Sequence, residues 1–475
     1  MKNAVAQSAL AAGLYTAAVV AQTTCSNILV PAYSAPVVAS GWQAQLVAGG
    51  LTKPRSIAFD STGALLVVES GKGISRHRFT DNGGTCLFSN HSHMLVEMTT
   101  LNHGLALSDD GNTLYASSAE AVFAWTYDAK GASVSGQPRT LIANMSNSDL
   151  VTRTLLMSKK QNGTLLVSRG SAEQHSAQTE VVTSGLSQIR AFNLTNLTSN
   201  SKPYVFSNDG LVLGWGLRNS VGVGEHPVTG GIYAVENSVD GVQRNGKDVH
   251  ENNPGEELNF FGYLNGTTTA NQGKNFGYPH CFAVWEASEI PDNDGLGIGK
   301  QFAVLENSTL RDETCAEKYV PPVLGGRETA YVTFRGSFDR SSRRLPRGSI
   351  AFNAATGEPV AAADSNNALT DVLTQPRPHR LSGQVLQASR LAFDSAGRLW
   401  MSSDSTGEIY VLQRTGGGGW QVCAAPASGG GGSGGGAGSG NGNGNGGGNK
   451  NAAVGVDEGD DGICMERGGR SHSYL

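Results

Sequence analysis

The chain has 475 residues, a formal charge of −5 and 39% hydrophobic content, enough apolar material for one large domain or two ordinary ones and far more chain than a small cross-linked scaffold needs. A pI near 6.1 offers no basic field to nucleic acid or anionic lipid, and no run of like charges forms a polyelectrolyte tail. Nucleic-acid partners are therefore not expected.

At the N-terminus, Lys2 precedes the small and apolar SALAAGLYTAAVVA (8–21), whose Val19-Val20-Ala21 end suits cleavage. Residues 1–21 are expected to be a secretory signal peptide, which makes the mature protein extracellular. A lone membrane anchor fits less well, because the apolar run falls short of the roughly 20 residues a span requires. Cysteines at 25, 86, 281, 315, 423 and 464 and N-x-S/T sequons at Asn90, Asn144, Asn162, Asn193, Asn196, Asn265 and Asn307 fit that compartment. Cys281 with Cys315 is the first expected disulfide, since each flanks the same insertion.

One pattern then recurs: an apolar strand, a turn containing glycine, and a second strand ending in small or polar residues. It reads SIAFDSTGALLVVES (56–70), GLALSDDGNTLYASS (104–118), TLLMSKKQNGTLLVSRG (154–170), GVGEHPVTGGIYAVENS (222–238) and RLAFDSAGRLWMSSD (390–404), with a degenerate copy at AYVTFRGS (330–337) leading to GSIAFNAATGEPV (348–360). Turns of this kind between alternating apolar runs are hairpin signals, and long helical periods are scarce. Six hairpins at irregular spacing predict a six-bladed β-propeller over residues 22–423, with an insertion between 238 and 325.

Propellers collect polar side chains from the ends of their inner strands around a central channel. His103 opens the second hairpin and reads either as a structural histidine or as an acid–base group. Arg153 and Arg169 bracket the third hairpin, where strands prefer apolar or β-branched residues; an anionic ligand held by guanidinium groups and ordinary surface arginines both account for them. Arg218-Asn219, within GWGLRNSVGVGE (214–225), belongs at the same mouth. Glu236, Asp240, Asp248, Glu251, Glu256 and Glu257, with Ser238, Asn252 and Asn253, offer hard oxygen ligands suited to Ca2+, although EF-hand spacing is missing and a solvated acidic loop fits as well. Beyond the strands, residues 424–475 are dominated by Gly, Ser and Asn and are expected to be a disordered tail.

The stretches GWGLRNSVGVGEHPVTGGIYAVENSVDG, DVHENNPGEELNFFGYL and NFGYPHCFAVW resemble the fungal secreted quinoprotein glucose/sorbosone dehydrogenases, also called pyrroloquinoline-quinone-dependent pyranose dehydrogenases. The likeness runs over roughly residues 41–413. It implies a six-bladed propeller with pyrroloquinoline quinone (PQQ) over the channel mouth and Ca2+ beneath the quinone edge. On that resemblance His103 matches the base that takes the sugar hydroxyl proton, and Arg218 stabilises charge on the quinone oxygen. Arg55, Arg153 and Arg169 would pair the quinone carboxylates, and Asn219 and Arg335 would join the cofactor-binding set. Ser238 and Val239 would offer carbonyls to calcium with Asp240 nearby, while HENNPGEELN would be chiefly scaffold for that turn.

Two departures from the family pattern stand out. FRGSFDR replaces FHGSWNR, putting Arg335 for a histidine and Phe338 for a tryptophan, and CAEKYVPPVLGGRETA (315–330) is short. The implied function is oxidation of a sugar with electrons passed to an external acceptor, for which a cytochrome, a small quinone and a copper oxygenase all remain open; the sequence has no C-x-x-C-H haem signal. A propeller retained only for carbohydrate binding, or a calcium-dependent lactonase, are the alternatives.

Overall fold

An aspartate in the recurring turn builds the first and last hairpins from within. Asp60 Oδ1 accepts the backbone N–H groups of Thr62 and Ala64 at 2.8 and 3.0 Å, and its Oδ2 accepts from Tyr127 Oη and Arg76 Nε. Asp394 repeats the device: Oδ1 takes the N–H groups of Ala396 and Arg398, while Oδ2 takes Arg398 Nε and Trp400 Nε1. The turn glycines Gly63 and Gly397 have φ of 80° and 77°, a left-handed conformation that a side chain would strain. A carboxylate that accepts several donors at once fixes the turn and thereby the strand register.

These hairpins assemble into an all-β propeller. The computed structural model describes residues 25–26, 28–33, 35–249, 253, 255–293, 295–304, 310–325, 332–333, 347–350, 352, 356, 358–365, 370–374, 386–415 and 472–473. The expected signal peptide, most of the expected tail, Cys423 and Cys464 lie outside them.

Five blades are complete among the described residues. The first is Pro54–Phe59, Leu65–Glu69, Gly73–Asp81 and Leu87–Glu97; the second is Leu101–Leu107, Thr113–Ser118, Val122–Asp128 and Ser133–Ala143. The third is Leu155–Met157, Thr164–Arg169, Gln188–Asn193 and Leu211–Trp215, and the fourth is Ser220–Glu225, Gly231–Glu236, Glu257–Tyr263 and Leu324–Gly325. The last takes Ala388–Phe393, Leu399–Ser403 and Glu408–Arg414 from one end of the chain and Trp42–Ala48 from the other, paired antiparallel from Trp42 with Arg414 to Ala48 with Ile409. The sequence predicts six blades, the copy over 330–360 being degenerate. Between the fourth and the last there is instead a sheet of short strands, Val332–Thr333, Arg347–Ser349 and Thr370–Thr374, edged by Val37–Val38. Residues 326–331, 334–346 and 366–369, which connect these strands, lie outside the described residues.

The core lies between neighbouring blades. Trp400 of the last blade packs edge-on against Phe59 and Phe79 of the first, with ring centroids 5.2 and 4.9 Å apart. The insertion is held by the expected disulfide, Cys281 to Cys315. That bridge ties the hairpin Cys281–Ala283/Gln301–Ala303 to a helix, Asp312–Lys318, whose Asp312 receives both guanidinium nitrogens of Arg244 at 2.8 and 2.9 Å. A second disulfide joins Cys25 to Cys86 and fastens the N-terminal segment to the first blade. No helix among the described residues is long and apolar enough to cross a membrane.

Candidate active site at one rim of the channel

Each innermost strand starts at the same face of the ring, and each second strand returns to it. Arg55, His103, Arg153, Arg218 and Arg390 lie at or just before the starts of inner strands, while Arg169, Glu236 and Asp404 lie at or just after the ends of second strands. Topology alone therefore gathers them at one rim.

His103 is fully buried, and its Nδ1 accepts Arg55 Nε at 3.2 Å. Arg55 is in turn ion-paired with Asp404, closing a chain from carboxylate through guanidinium to imidazole. An imidazole that accepts at Nδ1 carries its ring hydrogen on Nε2, so in this arrangement His103 presents a donor there. Accepting a proton at Nε2 requires Arg55 to leave Nδ1. The sequence places Arg55 on a cofactor carboxylate; in this structure its guanidinium lies between Asp404 and His103.

Arg153 departs further from expectation. Its Nε donates to Ala119 O, its Nη1 to Leu150 O and Thr152 O, and its Nη2 to Met145 O and Asn147 Oδ1. All five N–H donors of the guanidinium are thus used inside the protein. Burial, aided by the nearby Arg169 charge, presses its pKa down to about 9, so it stays protonated at neutral pH. Arg153 braces the rim, and in this arrangement no donor is left over for a ligand carboxylate, so the cofactor role expected for it would require some of these bonds to be exchanged.

Arg169 is different. One nitrogen donates to Ser146 O at 2.8 Å and the guanidinium lies 5.8 Å from the Phe206 ring centre, yet Nε has no hydrogen-bond partner among the described residues. Arg190 covers the same ring at 5.6 Å. Arg390, also buried, forms no ion pair among the described residues, and desolvation lowers its pKa to about 10. Buried guanidinium groups without counter-charges are costly unless an anion joins them.

Arg218 and Asn219 follow GWGL. The Arg218 backbone N–H donates to Glu236 Oε1, its Nη1 to Ser238 O and its Nη2 to Gln174 Oε1, with Asp240 Oδ2 3.6 Å away. Arg218 Nε has no partner among the described residues. Asn219 is buried, its Oδ1 within 3.5 Å of Thr152 Oγ1. A Cβ on neighbouring Gly170 would stand 2.8 Å from Leu150 Cβ and 2.9 Å from Asn219 Oδ1, so that position admits only glycine. Glu236 stands opposite Glu257 in the sheet. Burial first, and for Glu236 the neighbouring Glu257 carboxylate as well, push both pKa values up, Glu257 to about 7 and Glu236 well above the ordinary range.

Of the expected calcium set, Val239 is wholly buried, the Ser238 carbonyl is engaged by Arg218, and Asp240 is half exposed. No group of three or more His, Cys, Asp or Glu side chains suited to a metal occurs among the described residues. Arg335 lies outside the described residues, as do His250, Glu251, Asn252 and Pro254 of the HENNPGEELN stretch. Asn253 of that stretch is bonded to the insertion: its amide donates to Ala283 O at 2.8 Å, and its Oδ1 accepts the N–H groups of Trp285 and Glu286. Sequence reading missed Gln174, Arg390 and Asp404. The last two bracket RLAFDSAGRLWMSSD just as Arg153 and Arg169 bracket the third repeat, and that parallel was the available signal.

Residues 36–415 match the model of a family described as TrAA12-like. The chain belongs to the TrAA12-like family. A pyrroloquinoline quinone-dependent sugar dehydrogenase of Hypocrea jecorina (strain QM6a) is 46% identical over 83% of this chain and 93% of its own length. A pyrroloquinoline quinone-dependent pyranose dehydrogenase of Coprinopsis cinerea is 33% identical over 80% of this chain, which spans 55% of that relative. Among solved structures, the calcium structure of a Trichoderma reesei enzyme of Carbohydrate-Active Enzymes Family AA12 superposes with a TM-score of 0.78 at 46% identity, covering 82% of this chain and all of that one. The holo PQQ domain of pyranose dehydrogenase from Coprinopsis cinerea gives 0.73 at 31% identity, over 82% and 99% of the two chains.

Proposed function

We propose that this TrAA12-like protein is a secreted dehydrogenase that oxidises a sugar hydroxyl with pyrroloquinoline quinone as the electron acceptor, and that the short-stranded sheet closes its ring as a sixth blade. The observation that carries the reading is the excess of buried guanidinium at the rim: Arg169 and Arg218 each keep an Nε without a partner among the described residues, and Arg390 has no ion pair there. A polyanionic planar cofactor answers that excess. When bound, PQQ supplies a two-electron acceptor for hydride.

The residues of the chain do the rest. Arg169 and Arg390 hold carboxylates, with Arg335 and Asn219 as further members of the binding set. Arg218 holds a guanidinium where negative charge develops, and Glu236 fixes its backbone. With Arg55 turned to Asp404 alone, the His103 ring hydrogen shifts to Nδ1, and Nε2 accepts the hydroxyl proton. Ser238 and Val239 carbonyls with Asp240 would hold Ca2+, which would add positive charge beside Arg218; in this structure the Ser238 carbonyl accepts from Arg218. Electrons leave to a separate carrier.

The test is spectroscopic. Purified protein supplied with PQQ and Ca2+ should develop quinone absorbance that bleaches on adding an oxidisable sugar and returns with an artificial acceptor. No quinone uptake would leave a carbohydrate-binding propeller, and ester hydrolysis without any acceptor would select a lactonase. Identical quinone affinity in chelator and in millimolar calcium would remove the metal from the proposal.

A further inference from the structure

On the outermost strand of the first blade, Leu87–Glu97, the sequence LFSNHSHMLVE places His91 and His93 two residues apart. Side chains at that spacing share one face of a strand. Their ring centroids lie 5.3 Å apart with the planes at 40°. The pair is remote from the rim described above: its strand is the edge of the first blade farthest from the channel.

The hydrogen bonding of His93 sets its tautomer. Nε2 lies 3.2 Å from the carbonyl oxygen of Ala132, in the outer turn of the second blade, and a carbonyl can only accept. Nε2 therefore carries the ring hydrogen, and Nδ1 keeps its lone pair. That Nδ1 is buried and has no hydrogen-bond partner among the described residues. A histidine that donates one ring N–H to a backbone carbonyl and leaves the other nitrogen as an unshared lone pair has the arrangement typical of a metal ligand.

The spacing of the rings agrees. A metal–nitrogen bond of about 2.0–2.1 Å puts the ion roughly 3.2 Å from the ring centre, and two such rings at a tetrahedral angle have centroids about 5.2 Å apart. The observed separation is 5.3 Å. His91 is exposed and so can turn to admit an ion over the buried Nδ1. Across the strand pair, His91 faces Arg78, which is exposed to solvent, where its repulsion of a cation is screened, and His93 faces Arg76, which is committed to Asp60 at 2.9 Å.

We propose that His91 and His93 form a surface site for a divalent late transition-metal ion, bound through Nδ1 of His93 and a ring nitrogen of His91, with water completing the coordination. Imidazole ligands select copper, zinc or nickel over calcium, and Cu2+ heads the affinity order. Because the Ala132 carbonyl belongs to the next blade, an ion on His93 ties the outer edges of two blades together. The site is independent of the quinone, so its test does not depend on the proposed function.

The experiment titrates Cu2+, and separately Zn2+, into the full chain held in calcium without PQQ, by calorimetry and, for copper, by electron paramagnetic resonance. Wild type should take up one equivalent with a signal from two nitrogen ligands. His91→Ala and His93→Ala should each weaken that uptake tenfold or more and leave a one-nitrogen signal, with unchanged circular dichroism. Should His93→Ala unfold, His91→Gln at the exposed position gives the same reading. Equal uptake by wild type and the His91 variants, or no uptake by wild type at millimolar free metal, overturns the proposal.

Discussion

Replacing Arg153 by methionine separates a brace from a ligand clamp. The guanidinium satisfies Ala119 O, Leu150 O, Thr152 O, Met145 O and Asn147 Oδ1, and methionine has nothing to offer any of them. Losing five hydrogen bonds to mostly half-buried acceptors costs about 1 kcal/mol apiece, which puts the loss near 5 kcal/mol. Against this stands relief from keeping a wholly buried cation beside Arg169, which returns part of that sum. Arg153→Met should therefore lower the stability of the cofactor-free protein by about 3 to 5 kcal/mol. Denaturant unfolding of the apo protein measures this, and titration of the folded variant with PQQ supplies the second reading, which should remain within a few-fold of wild type. Stability unchanged within about 1 kcal/mol, together with quinone affinity lower by tenfold or more, would refute the brace and restore the clamp.

Burial presses His77, bonded to Ser75 Oγ at 2.8 Å, down to a pKa of about 4 from 6.5. The folded state therefore holds fewer protons than the unfolded state between those values, so this contribution is complete above pH 6.5 and is lost as pH falls toward 4; at roughly 1.4 kcal/mol per unit it amounts to about 3 kcal/mol, and His77→Gln should flatten the acid limb of a stability-versus-pH curve. Removing the Cys281–Cys315 bridge, which closes a separation of 34 residues, should cost about 3 to 4 kcal/mol by denaturant unfolding, with the insertion opening first under limited proteolysis. Arg218→Lys should keep quinone binding while slowing single-turnover quinone reduction by about 2 to 4 kcal/mol in barrier, and reduction at the wild-type rate would remove Arg218 from the reaction. Arg55→Met should leave His103 in place but unoriented, shifting the pH profile of kcat more than KM; a KM change alone would return Arg55 to cofactor binding.

Strand-turn-strand repeats were legible because apolar strands flank a turn that carries glycine, joined by aspartate in the first and last repeats, as Asp60 and Asp394 show. The rim was legible for a related reason: repeat ends converge in a propeller, so unexpected charges at those ends mark the channel. What each charge does was not legible. Arg153 and Arg169 look alike in sequence, yet one has every donor occupied and the other does not, and only the path of residues 145–152 around the guanidinium decides it. Asp404 escaped notice because its partner, Arg55, comes from the opposite end of the chain. The sheet after Gly325 was the least legible, because its repeat is degenerate and its strands are short.

Closure of the ring by Trp42–Ala48 against Glu408–Arg414 also has a kinetic meaning. The first strand of the propeller finds its neighbour only after the last one has been made, so folding ends with a pairing of extreme sequence separation and should be slow. Around that seam the backbone of Thr415 donates to Gly41 O at 2.8 Å, placing the two ends of the ring side by side. A circular permutant that joins them through a short linker and opens the chain at an exposed turn, such as the one at Lys130 and Gly131, would turn this late pairing into a local hairpin, and should reach the same propeller faster.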